Sequence, residues 1–164
     1  MPLDPILEYT QSRLEDILQD IEALASIESP TGDAQAVNRA ADWVEGNAAD
    51  IAEITRYPAD GFGAHLRLSF DVSASEAGGP HILGLGHLDT VYPHGALETM
   101  PIRRADGRLW GPGVFDMKGG DGVFGGSVGQ CARAGAADLF VGIELQQERV
   151  ARWDAEIAEG ANGV

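Results

Sequence analysis

An α/β fold, a mostly parallel mixed sheet flanked by helices, is what this sequence predicts, on three observations. Two stretches of helical periodicity come first, short strand-like runs follow, and an apolar run (Ile82, Leu83, Leu85) stops abruptly at His87-Leu88-Asp89. Helices interleaved with buried strands, rather than hairpin after hairpin, point to helices laid on a sheet. In such sheets functional groups gather at the carboxyl ends of strands, and His87 and Asp89 stand at one.

The elements follow in order. Residues 5–26 carry Leu14, Ile17, Leu18, Ile21 and Leu24 at helical spacing, with Glu15, Asp16, Gln19, Asp20 and Glu22 between them, and predict one amphipathic helix. Ser29-Pro30-Thr31-Gly32 breaks it. Asp33 suits the N-cap of a second helix, whose buried stripe is Val37, Ala40, Ala41 and Val44 and whose end Gly46-Asn47 weaken. Ile54 to Tyr57 is a short strand. Leu66, Leu68 and Phe70 alternate with His65, Arg67 and Ser69, the period of a strand with one buried face. A loop rich in Ser, Ala, Glu and Gly (71–80) leads into the strand that ends at His87. Ile102 to Trp110 reads as a hairpin about Asp106-Gly107, placed to set the next bend beside the His87 strand. Gly122, Gly125, Gly126 and Gly129 each cost a helix up to ~1 kcal/mol relative to alanine, so only a weak helix is expected over 121–130. Leu139, Phe140, Val141, Ile143 and Leu145 make a strand, and 149–160 a last helix.

Composition narrows the function. The 164 residues suffice for one domain with a real core. With 11 basic against 26 acidic residues the net charge is −15, which argues against nucleic acid and anionic membranes as partners. The one cysteine, Cys131, allows no intrachain disulfide. Met1-Pro2-Leu3-Asp4-Pro5 lacks a basic n-region and an apolar h-region, so no signal peptide is expected. No apolar run approaches the ~20 residues of a membrane span. A cytoplasmic location is the default expectation.

The chemistry concentrates between His81 and Gly120. Residues two apart in a strand face the same way, so His87 and Asp89 project together. A metal-binding imidazole usually donates its other ring N–H to a carboxylate, which fixes the tautomer. A lone His-x-Asp more often marks a surface turn. Here a second acid, Asp116, lies in Gly111-Pro112-Gly113-Val114-Phe115-Asp116-Met117-Lys118-Gly119-Gly120. Glycines permit close backbone approach there. An acid set between Val-Phe and Met suits neither a solvated face nor a core without a positive partner. Asp116 is therefore the candidate further donor. His65 and His81 read as surface or packed histidines, whereas His94 is a candidate substrate contact. Gly120-Asp121-Gly122-Val123-Phe124-Gly125 matches G-x-G-x-x-G, with Glu144 19 residues on. It follows no apolar strand, so nucleotide binding is disfavoured.

G-H-L-D-T-V-Y-P, followed 29 residues after His87 by the aspartate of G-P-G-V-F-D-M-K-G-G, resembles the dinuclear zinc exopeptidases and deacylases. These include carboxypeptidase G, acetylornithine deacetylase, succinyl-diaminopimelate desuccinylase and aminoacylase, and the wording is nearest the carboxypeptidase G branch. Ser26-Ile27-Glu28-Ser29-Pro30-Thr31-Gly32 resembles the family's first interhelix loop. The resemblance runs over roughly residues 10–122.

It implies a zinc-dependent hydrolase that cleaves the amide bond of N-acyl amino acids or small peptides through a metal-activated water. Two zinc ions per intact site are implied, with His87, Asp116 and Glu148 as metal ligands, Asp116 bridging, and Asp89 as the catalytic residue that orients His87. A cis peptide after Asp116 is also implied. Where the family places two adjacent glutamates, the first a general base, this chain reads Gln146-Gln147-Glu148. An amide at Gln147 accepts no proton at useful pH. By the same resemblance, residues 1–164 are the N-terminal portion of a catalytic domain, incomplete and without a lid or dimerisation domain. The alternative is a truncated, inactive remnant that binds a metal or a partner. The sequence specifies no oligomeric state.

Overall fold

The computed structural model describes residues 5–70, 82–122 and 139–143. The expectations for His81, most of 121–130, Cys131, Glu144, Gln147, Glu148 and the helix at 149–160 lie outside these residues.

The first helical stretch divides in two. α1 (Pro5–Ser12) and α2 (Leu14–Ala25) meet at Arg13, whose φ of −104° and ψ of 6° leave the helical basin. The single helix expected over 5–26 is thus corrected, and the reason lies in burial. Ile17, Ile21, Leu24 and Ala25 are the buried residues of α2, while Leu7 and Leu14 are exposed. The stripe that gains from packing begins one turn later than periodicity alone suggests. The Arg13 guanidinium pairs with Asp16 at 2.9 Å at the break.

α3 (Ala34–Ala48) starts where Asp33 predicts. The Asp33 carboxylate accepts hydrogen bonds from the N–H groups of Gln35 (2.9 Å) and Ala36 (3.0 Å). These are two of the four donors that a helix start leaves without partners. Ala36, Val37, Ala40, Ala41 and Ala48 are buried, and such small side chains let the helix lie close to the sheet.

Then come β1 (Glu53–Tyr57), β2 (His65–Phe70) and β3 (Ile82–Gly86), followed by the short α4 (Ala96–Thr99). β4 (Arg103–Ala105) and β5 (Arg108–Trp110) form a separate two-stranded hairpin, and β6 (Leu139–Ile143) closes the described chain. The four-stranded sheet has the order β1-β2-β6-β3. β6 runs parallel to β3 and antiparallel to β2, with Ile143 opposite both Gly86 and Leu66. β1 and β2 are antiparallel. The α/β class holds, but among the described strands the mixture leans antiparallel rather than parallel. The short link from Tyr57 to His65 accounts for part of this, because a parallel pair needs a crossover of a dozen or more residues.

Leu66, Leu68 and Phe70 on one face of β2 join Leu24, Val37, Ala40, Ala41 and Leu88 in one buried cluster. Removing each Leu or Phe side chain from water contributes about 1.5–3 kcal/mol. The helices α2 and α3 are thereby fixed over the sheet, and with them the loop that joins them.

The hairpin turns at Asp106 (φ 52°) and Gly107 (φ 69°), the two left-handed positions that a tight hairpin turn requires. Arg104 ties it to α2, reaching Glu22 at 2.5 and 2.9 Å and Glu15 at 2.8 Å. The hairpin so held delivers the glycine-rich bend that follows it.

Candidate metal centre

β3 ends at Gly86, and the chain runs on extended past the sheet edge. Leu88 is fully buried in the core cluster. Alternation then turns its neighbours His87 and Asp89 to the opposite side. The loop between α2 and α3 docks alongside. Thr90 donates its N–H to the Ser29 carbonyl (2.8 Å), and Thr31 donates its own to the Thr90 carbonyl (3.1 Å). The buried Ser29 hydroxyl donates to the Leu88 carbonyl at 2.6 Å. In sequence Ser29-Pro30-Thr31 reads as a helix breaker; in space it is a clamp on the rim of the sheet.

His87 stands between two carboxylates. Its Nδ1 lies 3.2 Å from Asp89 Oδ1, and its Nε2 lies 3.1 Å from Asp116 Oδ1. The other Asp89 oxygen accepts from the Thr31 hydroxyl at 2.5 Å. The hydrogen bond to Asp89, helped by Asp116, holds the His87 imidazolium up to about 9 despite partial burial. Burial pushes the Asp89 carboxyl up, but the His87 and Thr31 hydrogen bonds outweigh it and leave it below its ordinary value.

Asp116 is presented by a wide turn over Val114–Lys118, closed by the Lys118 N–H on the Gly113 carbonyl at 3.0 Å. Gly113 sits at φ 72°, and a Cβ there would run into the Thr90 methyl, so only glycine fits. Inside the turn Asp116 and Met117 depart from helical angles, and the peptide between them is cis, as the resemblance implies. The Asp116 side chain is 75% exposed. Lys118 points the other way and is buried. Its ammonium donates to the carbonyls of Ile27 (2.6 Å), just past the end of α2, and Leu24 (3.3 Å), in its last turn. Burial brings Lys118 down to about 8.

Sequence reasoning passed over three of these groups. Thr31 looked like a turn residue and Lys118 like part of a glycine-rich motif. Asp121 was noted only inside the G-x-G-x-x-G match. It lies in the helical turn at 119–122, with Oδ1 against Gly86, where any Cβ would collide, and with Oδ2 buried and without a partner among the described residues. Burial pushes its carboxyl up to about 7, against the pull of His87 and Lys118. The available signal was an acid in a run that is otherwise glycine and apolar.

His94, a candidate substrate contact, has its Nε2 2.8 Å from Asp33 Oδ2 and its Nδ1 3.8 Å from Glu28. Glu28 in turn accepts from the N–H groups of Gly95 (2.9 Å) and Leu97 (3.0 Å). These contacts hold the 91–97 segment on the start of α3. They border an open cavity of about 580 Å³ walled by Arg39 and Trp43.

The donor geometry suits a metal ion in part. Two ligands each ~2.0–2.2 Å from one zinc stand ~3.0–3.6 Å apart. The 3.1 Å between His87 Nε2 and Asp116 Oδ1 falls in that range. Among the described residues no group of three or more His, Cys, Asp or Glu is placed to hold a metal. Glu148, the third expected ligand, lies outside them. Nor is any helix among them long and apolar enough to cross a membrane.

No protein-family model matches the chain. Over 108 residues it is 31% identical to carboxypeptidase G2 of Pseudomonas sp. (strain RS-16), a match that covers 65% of this chain and 26% of that protein. The chain therefore spans about a quarter of the length of that relative. Its fold is similar to that of the dipeptidase Dug1p of Saccharomyces cerevisiae, with a TM-score of 0.75 at 17% identity, over 96% of this chain and 38% of that one. Human carnosine dipeptidase 1 gives 0.73 at 16% identity, over 88% of this chain and 35% of that one. The sequence match meets the resemblance read from the motifs, and the two structures add the fold.

Proposed function

We propose, on the premise that this chain shares sequence and fold with part of a catalytic domain of the dinuclear zinc exopeptidases and deacylases, that it is the N-terminal portion of a zinc-dependent hydrolase. Its substrates are N-acyl amino acids or small peptides, cleaved at the amide bond. The observation that carries the reading is the approach of His87 Nε2 to Asp116 Oδ1 at 3.1 Å, with Asp89 behind the imidazole.

His87 and Asp116 would hold the ion, joined by Glu148, and Asp116 has a second oxygen with which to bridge to a neighbouring one. Zinc supplies Lewis acidity at such a place, lowering the pKa of a water and polarising a carbonyl. The Nδ1 proton of His87 is accepted by the Asp89 main-chain carbonyl at 3.0 Å with the Asp89 carboxylate 3.2 Å away, which would leave Nε2 free to serve as a ligand. Thr31 holds the second Asp89 oxygen, so the carboxylate cannot rotate away. His87 must lose its Nε2 proton on loading. With its pKa near 9 that proton would be present at neutral pH, so holding a metal there would require its release.

An inactive metal-binding remnant is the second reading. A closed zinc site needs about four ligands, whereas the described residues bring two together. Gln147 at the place of the family's base favours the same reading. Zinc titration of the chain, paired with an assay on an acyl-glutamate, separates the two. Turnover that a chelator abolishes supports the hydrolase. Stoichiometric zinc without turnover supports the remnant, and no zinc binding overturns both.

A further inference from the structure

Lys118 is the most deeply buried charged side chain among the described residues, at 1% exposure. A lysine is almost never placed so unless its ammonium is paired. Here the ammonium donates to two main-chain carbonyls, Ile27 at 2.6 Å and Leu24 at 3.3 Å. Burial disfavours its charge, and the carboxylates of Asp121, Asp89 and Glu28 act the other way. Its backbone belongs to the turn that presents Asp116, and its N–H closes that turn on the Gly113 carbonyl. The two ends of this one residue thus lie in two segments far apart in the chain. One end is two residues from Asp116. The other is anchored two residues before Ser29, where the clamp on Leu88, Asp89 and Thr90 begins. Gly113 stands where these parts meet: a Cβ there would run into the Thr90 methyl and would touch the Lys118 stem at 3.5 Å.

Resting on the zinc reading of the centre, we propose that Lys118 is a positioning residue, which sets the Asp116 carboxylate against the His87 imidazole by tying the Asp116 turn to the Ser29–Thr31 clamp. The path is continuous. Ser29 and Thr31 fix Leu88 and Asp89, and Asp89 stands beside His87 Nδ1. Lys118 joins that clamp to the turn whose Asp116 faces His87 Nε2 at 3.1 Å. The role does not depend on how many further ligands or ions complete the centre. The competing role is purely structural, the satisfaction of two carbonyls near the end of α2. A methionine of similar length fills the same space and donates nothing, so it separates the two.

Zinc calorimetry and the visible absorption of bound cobalt, both on the full 164-residue chain, test the proposal, with urea unfolding recording the fold. Lys118→Met should bind zinc ~10-fold or more weaker than wild type and shift the cobalt spectrum. Because Lys118 acts through the clamp, Lys118→Met combined with Thr31→Val should lose less affinity than the product of the two single losses. Wild-type affinity and spectrum in folded Lys118→Met, whatever its urea midpoint, would make Lys118 purely structural and overturn the proposal, as would fully additive losses. If Lys118→Met does not fold, amide hydrogen exchange of the wild-type chain decides. Zinc should slow exchange ~10-fold at Ile27, whose N–H shares the Leu24 carbonyl with Lys118, and an unchanged rate there overturns the coupling. Zinc binding by wild type beside an unaffected variant leaves the zinc reading standing. A wild-type chain that binds no zinc overturns that reading together with the proposal.

Discussion

Replacing Asp121 by asparagine is expected to stabilise the metal-free chain at pH 8 and to change little at pH 3. The carboxyl is pressed against Gly86 with Oδ2 buried and without a partner among the described residues, and burial raises its pKa from 3.8 to about 7. For an acid raised in the folded state, the native protein holds a proton that the unfolded chain releases. Stability from this group is therefore greatest below about pH 4 and is lost as pH rises to about 7. A shift of that size, at about 1.4 kcal/mol per unit, corresponds to roughly 4 kcal/mol as an upper bound. Partial solvent access lowers this to about 2–3 kcal/mol. At pH 3 the acid is protonated in both the folded and the unfolded chain, and the acid and the amide are both neutral and nearly the same shape, so they should be close in stability. At pH 8 only aspartate carries the cost of ionisation. Urea unfolding followed by circular dichroism, with EDTA present, reads the difference. With a slope of about 1–3 kcal/mol per molar urea, the midpoint of D121N should lie ~1–2 M above wild type at pH 8. Equal midpoints at pH 8, or a less stable variant there, would mean that the carboxylate has a partner, and the burial argument would be wrong.

The remaining expectations concern the metal and the rim that carries it. His87→Ala should lose most zinc binding, whereas Asp89→Asn should retain it ~10–100-fold weaker, since the imidazole keeps its Nδ1 bond to the main-chain carbonyl of residue 89 but loses the carboxylate beside it; calorimetry giving wild-type affinity in both variants would remove the metal site. Apparent zinc affinity should rise about tenfold per pH unit from neutrality until it levels near pH 9, where His87 gives up its proton unaided; a pH-independent constant would show that His87 is not a ligand. The same raised pKa stabilises the metal-free fold below pH 6.5, a contribution that fades as pH rises through about 9. Ser29→Ala should cost about 1–2 kcal/mol in urea unfolding, because the Leu88 carbonyl loses a buried donor; no loss would show that water replaces the hydroxyl.

Local chemistry in the chain determined a good part of this protein. Asp33 caps α3 because its short carboxylate reaches back to free N–H groups. Asp106-Gly107 turns the hairpin because both positions tolerate positive φ. Leu66, Leu68 and Phe70 face the core because strand side chains alternate, and the same alternation placed Asp89 beside His87. Each of these depends on residues a few positions apart, so the order of side chains is enough. Tertiary structure decided what depends on partners far along the chain. The placement of β6 between β2 and β3, the break at Arg13, the Thr31 hydroxyl on Asp89 and the burial of Asp121 have no local period to announce them. The 3.1 Å between His87 and Asp116 spans 29 residues of chain. It follows from packing the Leu88 rim, the Arg104-held hairpin and the Gly113 bend together, because long-range burial and hydrogen bonding, not backbone propensity, set which distant groups meet.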